Sequence, residues 1–446
     1  MENTATSLSH LKYGLDYTES EARHAYKKVT WRLIPFLFIC YVFAYLDRVN
    51  IGFAALQMKQ DLHFSDATYG LGAGIFFIGY FLFEVPSNLL LQKIGARKTL
   101  TRIMVLWGLV SASFAFVQTP IQFYIARFLL GVFEAGFFPG IVLYLTYWYP
   151  PAMRGRAIGL FMTAIAVAGI IGGPLSGWIL TYMGGANGWA GWQWMFVVEA
   201  IPSVILGLLV MTALVDSPKD ACWLSMREKE LLIHNIEASS EVAQREHSFG
   251  KILRDHKVYI LGLAYFSIAI GFYAISFWLP TIIRGFGVSS PLEIGILSAL
   301  PSTAGAVAMV AIARHSDRTA ERRWHTALCM IIGGAALTAA TMLSGNLALA
   351  LCTLSIATAS LLAAMPVFWT IPTSYLSGSA AAGGIALINS IGLVGGFVSP
   401  SVVGWLKTTM GSLDYGLYFA GGVLTVGAIL LLLFIPSRLL QISEAN

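Results

Sequence analysis

Apolar residues in this chain gather into long runs that recur from residue 33 almost to its C-terminal end, with short polar segments between them. A helix needs about 20 apolar residues to cross a bilayer core of about 30 Å. That ruler predicts spans at 33–54, 67–91, 103–118, 122–146, 157–181 and 192–214, then at 258–283, 294–313, 324–342, 348–373, 381–404 and 416–436. One long polar stretch, 216–257, divides them six and six, and it predicts a linker that is partly helical around Leu224 to Ile236. The first 30 residues are polar and no small-residue cleavage site follows the first run, so that run is expected to be retained as a span. The fold class expected is an all-α, multi-pass membrane protein with twelve transmembrane helices, in segments 1–215, 216–257 and 258–446.

Composition agrees with the pattern. Of 446 residues, 57% are hydrophobic and 11% charged, against about 25% charged in soluble proteins. Too little polar side chain remains to cover a surface in water, which excludes soluble enzymes, secreted disulfide scaffolds and nucleic-acid binders. The four cysteines (Cys40, Cys222, Cys329, Cys352) have no metal or redox spacing, and no histidine pairs with another at ligand spacing. No metal, no cofactor and no catalytic constellation are expected.

Basic residues give the orientation. With the N-terminus inside, the short inner segments hold Lys12, Arg23, Lys27, Lys28 and Arg32, then Lys93, Arg97, Lys98 and Arg102, then Arg154 and Arg156, then Arg314, Arg318, Arg322 and Arg323, and finally Arg438. The outer loops hold Lys59, Arg284 and Lys407 alone. Both termini and the linker are therefore expected on the cytoplasmic side.

The chain also repeats itself. LLLQKIGARK after the second run matches AIARHSDRTAERR after the eighth, with Gln92 against Asp317 at an offset of 225. VAGIIGGPLSGW in the fifth run matches LVGGFVSPSVVGW in the eleventh, pairing Pro174 with Pro400 and Trp178 with Trp405 at 226 and 227. Parallel six-helix halves of this kind enclose a central cavity at their interface.

With the repeat goes a resemblance. The layout and the two basic loops resemble the major facilitator superfamily, and YLDRVNIGFA, FFIGYFLFEVPSN, FEAGFFPGIVLYLTYWYP and GWQWMFVVEAIPSV resemble its anion:cation symporter family, closest to bacterial tartrate, phthalate and hydroxyphenylacetate permeases. The resemblance implies the major facilitator fold, two six-helix halves around a central cavity, in a bacterial inner membrane. It also implies a cytoplasmic gate built on Lys93, Gly95, Arg97, Asp317 and Arg318. Gln92 departs from the loop motif, which usually has Asp there, so the latch is expected to be weaker in the first half.

Six ionisable residues fall inside spans: Asp47, Arg48, Glu84, Arg127, Glu134 and Glu199. Such groups are costly and normally face a cavity. All lie in the first half; the repeat sets Tyr273 against Asp47 and Thr353 against Arg127. At 1.5 Å per residue, Asp47, Arg48 and Arg127 share a level about 8–9 Å from the outer side, with Glu134 about 10 Å deeper on the face of Arg127. Two arginines at one level leave a positive excess, and their planar forks suit a carboxylate. The plainer alternative is a buried Asp47–Arg127 pair that fixes helix packing. Glu134 has no cation at its own depth in this reckoning and is expected to carry a proton, with Asp47 as the second proton site. Glu84 is expected to serve a gate or helix end, and Glu199 to reach headgroups or water.

The resemblance implies anion-binding and proton-coupling roles for Asp47, Arg48, Arg127 and Glu134, and pocket positions for Tyr80, Trp369 and Asn389. Asn389 is also a lone amide in an apolar run that needs a polar partner, which a packing bond would satisfy equally. With no phosphate-binding loop in sight, transport would draw on an ion gradient or run downhill. The expectation is a monomeric secondary transporter that takes up an organic carboxylate with protons; an exchanger or uniporter of organic anions is the alternative.

Overall fold

The computed structural model describes residues 17–243, 254–343, 345–376 and 379–436. Lys12 and Arg438, both counted in the orientation argument, lie outside the described residues, as does linker segment 244–253. Among the described residues, twelve helices are long and apolar enough to cross a membrane. Span 1 is Glu19–Asp61, span 2 Asp66–Ile94, span 3 Ala96–Phe116, span 4 Pro120–Thr146, span 5 Met153–Tyr182 and span 6 Gly191–Ala213. Span 7 is His256–Gly285, span 8 Pro291–Thr319, span 9 Arg323–Thr341, span 10 Leu347–Ser374, span 11 Gly383–Met410 and span 12 Asp414–Phe434. The linker carries the helix Met226–Ala243.

Large apolar side chains such as Ile121, Leu208 and Leu433 are more than half exposed on the outside of the bundle, as a helix face turned to lipid requires. Helix starts follow local chemistry. The side chains of Thr18, Ser65, Thr119 and Asn346 accept backbone N–H groups at the starts of spans 1, 2, 4 and 10, satisfying donors that a helix cannot pair itself.

Three expected spans are not single helices. Span 1 begins at Glu19, well before the apolar run, because a capping box at Thr18 and Glu21 starts a polar helix that runs into the membrane. It breaks at Asn50, span 4 breaks at Ala135–Gly136, and span 5 breaks at Thr163. Gly136 sits at φ +86°, and a Cβ there would lie 2.4 Å from the Ser87 hydroxyl, so both backbone and neighbour demand glycine.

The two sets of six spans meet along helix pairs 2–11 and 5–8. Small residues allow the approach: a Cβ on Gly70 would lie 2.2 Å from the Pro400 carbonyl oxygen, and one on Gly173 2.5 Å from that of Gly295. Contacts between spans 5 and 8 run from Thr181–Leu292 to Gly169–Ser302, the half of each helix remote from the linker. That remote end is tied further. Asp66 pairs with both Lys59 and Lys407, the Thr408 hydroxyl accepts the Ala67 amide at 2.8 Å, and the Arg284 guanidinium donates to the Leu56 carbonyl. The end of the bundle opposite the linker is thus sealed by contacts between the two sets.

The repeat is visible in detail. Arg97 at the start of span 3 donates to the Met211 carbonyl at the end of span 6, 2.6 Å away. Arg323 at the start of span 9 donates to the Ile435 carbonyl just after span 12, 2.8 Å away.

Candidate functional site

Arg48 lies at the centre of the interface between the sets. Its Nε donates to Glu134 Oε1 at 3.0 Å and its Nη2 bonds the same oxygen, with the two side chains 10% and 1% exposed. The expectation for Glu134 needs correcting, because the acid does have a cation, Arg48. Arg48 makes no bond to its sequence neighbour Asp47. Adjacent helical residues point about 100° apart, so Asp47 and Arg48 face different neighbours, and the long arginine side chain spans the depth that separated it from Glu134 on paper. Glu134 Oε2 is buried with no hydrogen-bond partner.

Asp47 turns into the first six-span set. It accepts from Trp107 Nε1 at 3.0 Å, Ser111 Oγ at 3.3 Å and Ser203 Oγ at 2.6 Å. The buried Asp47–Arg127 pair is absent. Instead Arg127, 1% exposed, donates from Nε to the Gly72 carbonyl and from Nη2 to the Ala73 carbonyl, each at 3.2 Å. Its guanidinium carbon lies 5.2 Å from the centre of the Phe76 ring, and that of Arg48 lies 5.3 Å from the same centre. One ring is therefore shared by two cations no more than 10.5 Å apart. Among the described residues, these cations between them hold one carboxylate in contact, Glu134.

Aromatic side chains close the surroundings. The Arg48 guanidinium stands 5.5 Å from the Tyr80 ring, and Tyr273 lies beside it from the second set. Tyr273 packs on Phe77 and Phe277. Trp369 meets Tyr265 edge-on at 4.9 Å, and Tyr265 also stacks on Phe368. Asn389 reaches across the interface to Glu84, its Nδ2 3.1 Å from Oε1, so its polar partner is an acid of the opposite set. Reasoning from sequence missed Tyr265, Phe76 and Tyr41, a buried side chain on span 1 two turns before Arg48. A signal existed for Tyr41: together with Tyr45 and Arg48 it falls at i, i+4 and i+7, one helical face.

Glu199 also departs from expectation. It is 1% exposed and accepts from Ser176 Oγ at 2.7 Å and Asn50 Nδ2 at 3.0 Å, facing the protein and not headgroups. The loop residues divide. Gly95 sits at φ +91°, ending span 2, and a Cβ there would lie within 2.9 Å of the Asp216 carboxylate. That carboxylate accepts the Arg97 amide at 2.9 Å. Asp216, on the linker, thus supplies at this loop an acid that Gln92 does not. Asp317 pairs with Arg322 at 2.7 Å, whereas Lys93 and Arg318 are exposed; Arg322 ties the second loop within itself and Arg323 ties it to the end of span 12. Among the described residues, no group of three or more His, Cys, Asp or Glu side chains is placed to hold a metal ion.

Comparison with known proteins agrees with this architecture. A family model described as Major Facilitator Superfamily matches residues 37–400. The chain is 48% identical over 427 residues to a protein of Agrobacterium vitis named "Putative tartrate transporter", covering 95% of this chain and 94% of that one. It is 39% identical over 407 residues to the inner membrane transport protein RhmT of Escherichia coli, covering 91% and 94%. Among solved structures it resembles the partially occluded, inward-open xylose transporter XylE from Escherichia coli. There the TM-score is 0.71 at 18% identity, over 91% of this chain and 98% of that one.

Proposed function

The chain belongs to the major facilitator superfamily, with transporters of its anion:cation symporter type, and on that premise we propose that it carries an organic carboxylate into the cell with one or more protons by alternating access. The observation that carries the reading is the buried Arg48–Phe76–Arg127 arrangement with Glu134 as its one contacting carboxylate. It holds one more positive charge than negative, deep in the membrane, where an anionic ligand would restore balance.

A coupling mechanism follows. The substrate carboxylate engages the Arg48 fork and displaces Glu134 from it, with Arg127 as the second cation. Glu134, losing its counter-charge in a buried site, takes up a proton, and Oε2, which has no donor in the structure, has lone pairs free to receive it. By linkage, protonation favours anion binding by the same factor that anion binding favours protonation. Asp47, held by three neutral donors and no cation contact, is the second proton site. Tyr80, Trp369 and Asn389 shape the pocket.

The basic-residue bias supports a cytoplasmic position for both termini and the linker. The sealed end then faces outward, and the contacts at Asp66 and Arg284 are the outer gate. The Glu84–Asn389 bond between spans 2 and 11 breaks when the sets tilt. The protein works as a monomer in a bacterial inner membrane. A related transporter named for tartrate makes that dicarboxylate the first substrate to try, with phthalate, aromatic acids and sugar acids beside it.

The test is uptake of labelled acids into proteoliposomes under an imposed pH gradient at zero membrane potential. Accumulation above the outside concentration, abolished by a proton ionophore, is the expected result. Equilibration without accumulation, unaffected by the ionophore, would replace symport with exchange or uniport of the same anion.

A further inference from the structure

Beside the charged cluster lies a second feature that the coupling scheme does not use. A cavity of about 70 Å³ opens between spans 1, 5, 7, 8 and 10. Tyr45, which lines it, bonds Ser276 across the interface at 3.3 Å and sits one turn from Arg48, so the cavity adjoins the anion site on the neighbouring face of span 1. Its polar wall consists of Asn50, Ser176, Ser276, Ser298, Ser302 and Thr358, set among apolar side chains.

The hydrogen-bond inventory of that wall is lopsided. Ser276, Ser298, Ser302 and Thr358 donate to carbonyls of their own helices, at Phe272, Ile294, Ser298 and Leu354, and Ser176 donates to Glu199. Each hydroxyl has one proton, so these donors are already engaged. Asn50, 1% exposed, gives its Nδ2 to Glu199, and its Oδ1 is buried without any partner. Ionised Glu199 only accepts, so it takes the N–H end of the amide and leaves the Asn50 oxygen without a partner among the described residues. Apart from the second N–H of Asn50 Nδ2, the wall therefore offers acceptors and no unengaged donor.

We propose that this cavity is a subsite for the hydroxyl-bearing carbons of the substrate, with Asn50 Oδ1 accepting a substrate hydroxyl and Glu199 positioning Asn50. The inference rests on the carboxylate reading above and narrows it to hydroxy acids. A bare carboxylate brings no proton to an acceptor wall, so the anionic end belongs at the arginines. A desolvated metal cation would need several converging oxygens, whereas this lining is mostly apolar. A carbon chain with hydroxyls matches both the apolar and the accepting parts.

The experiment compares matched acids in counterflow exchange with purified wild-type protein in proteoliposomes: tartrate against succinate, which differ only in two hydroxyls. Wild type should prefer tartrate about tenfold, equivalent to about 1.4 kcal/mol. Asn50→Leu should lose most of that preference while succinate exchange persists, which also shows that the variant is folded. Ser298→Ala with Thr358→Val alters the opposite wall without touching Glu199 and should reduce the preference in the same direction. A preference absent from wild type, or intact in both variants, would overturn the subsite. Failure of every acid to exchange would instead overturn the carboxylate reading itself.

Discussion

Replacing Glu134 with glutamine should lower the dependence of ligand affinity on pH by one proton. In the wild-type protein Arg48 places two N–H groups on Glu134 Oε1, and both side chains are almost fully buried. A carboxylate ligand must take that fork from Glu134. If the displaced acid is protonated as the ligand binds, one proton is bound per ligand, and affinity changes tenfold, about 1.4 kcal/mol, per pH unit wherever free Glu134 is ionised. Glutamine keeps the size and one acceptor oxygen but cannot titrate. It also leaves a buried guanidinium uncompensated, at a cost of about 3–5 kcal/mol to the unliganded protein, part of which an anion would return. The variant should therefore bind its acid at least as tightly as wild type near neutral pH and be stabilised more by it in a thermal-shift assay. Titration calorimetry in detergent across about two pH units measures the slope. A slope in Glu134→Gln equal to that of wild type would refute the displacement mechanism.

Three further substitutions probe other parts. Arg127→Lys keeps the charge but cannot reproduce donation to both Gly72 and Ala73, so affinity for the acid should fall about tenfold or more; unchanged affinity would remove Arg127 from the anion site. Asp66→Asn weakens the tie to Lys59 and Lys407 and should loosen the bundle end remote from the linker, the proposed outer gate. Thr281 lines the cleft there with Lys59, Arg284 and Lys407; faster labelling of Thr281→Cys, in a background without the native cysteines, by an impermeant reagent added outside would show the loosening, and an unaltered rate would contradict it. Gly136→Ala forces a Cβ at positive φ against Ser87; a loss of about 1–3 kcal/mol, read as a lowered melting temperature, is expected.

Twelve spans and the duplication were legible because both rest on hydropathy and spacing, which survive translation into structure. The candidate residues were legible because charge inside an apolar run is conspicuous. Their partners were not. Depth arithmetic treats side chains as points on straight cylinders, whereas Arg48 reaches a full side chain away from its own level to Glu134, and span 4 breaks immediately after that acid at Gly136. Rotation about the helix axis was equally invisible: Asp47 and Arg48 are neighbours in sequence, yet one faces Trp107 on span 3 and the other faces Glu134 on span 4. Glu199 looked peripheral because its position near a helix end says nothing about which side it faces; Ser176 and Asn50, far away in sequence, turn it inward. Asp216 was hidden by its place on the linker, where an acid reads as solvated surface.

Proton movement on addition of a carboxylic acid decides whether transport is proton-coupled. Proteoliposomes containing the purified protein and a trapped pH dye, without any imposed gradient, would receive tartrate, phthalate, hydroxyphenylacetate and sugar acids in turn, with neutral sugars as controls. Internal acidification triggered by at least one acid is expected, absent with the sugars and absent in Glu134→Gln although that variant still exchanges the acid. No acidification by an acid that the same vesicles demonstrably exchange would contradict proton coupling.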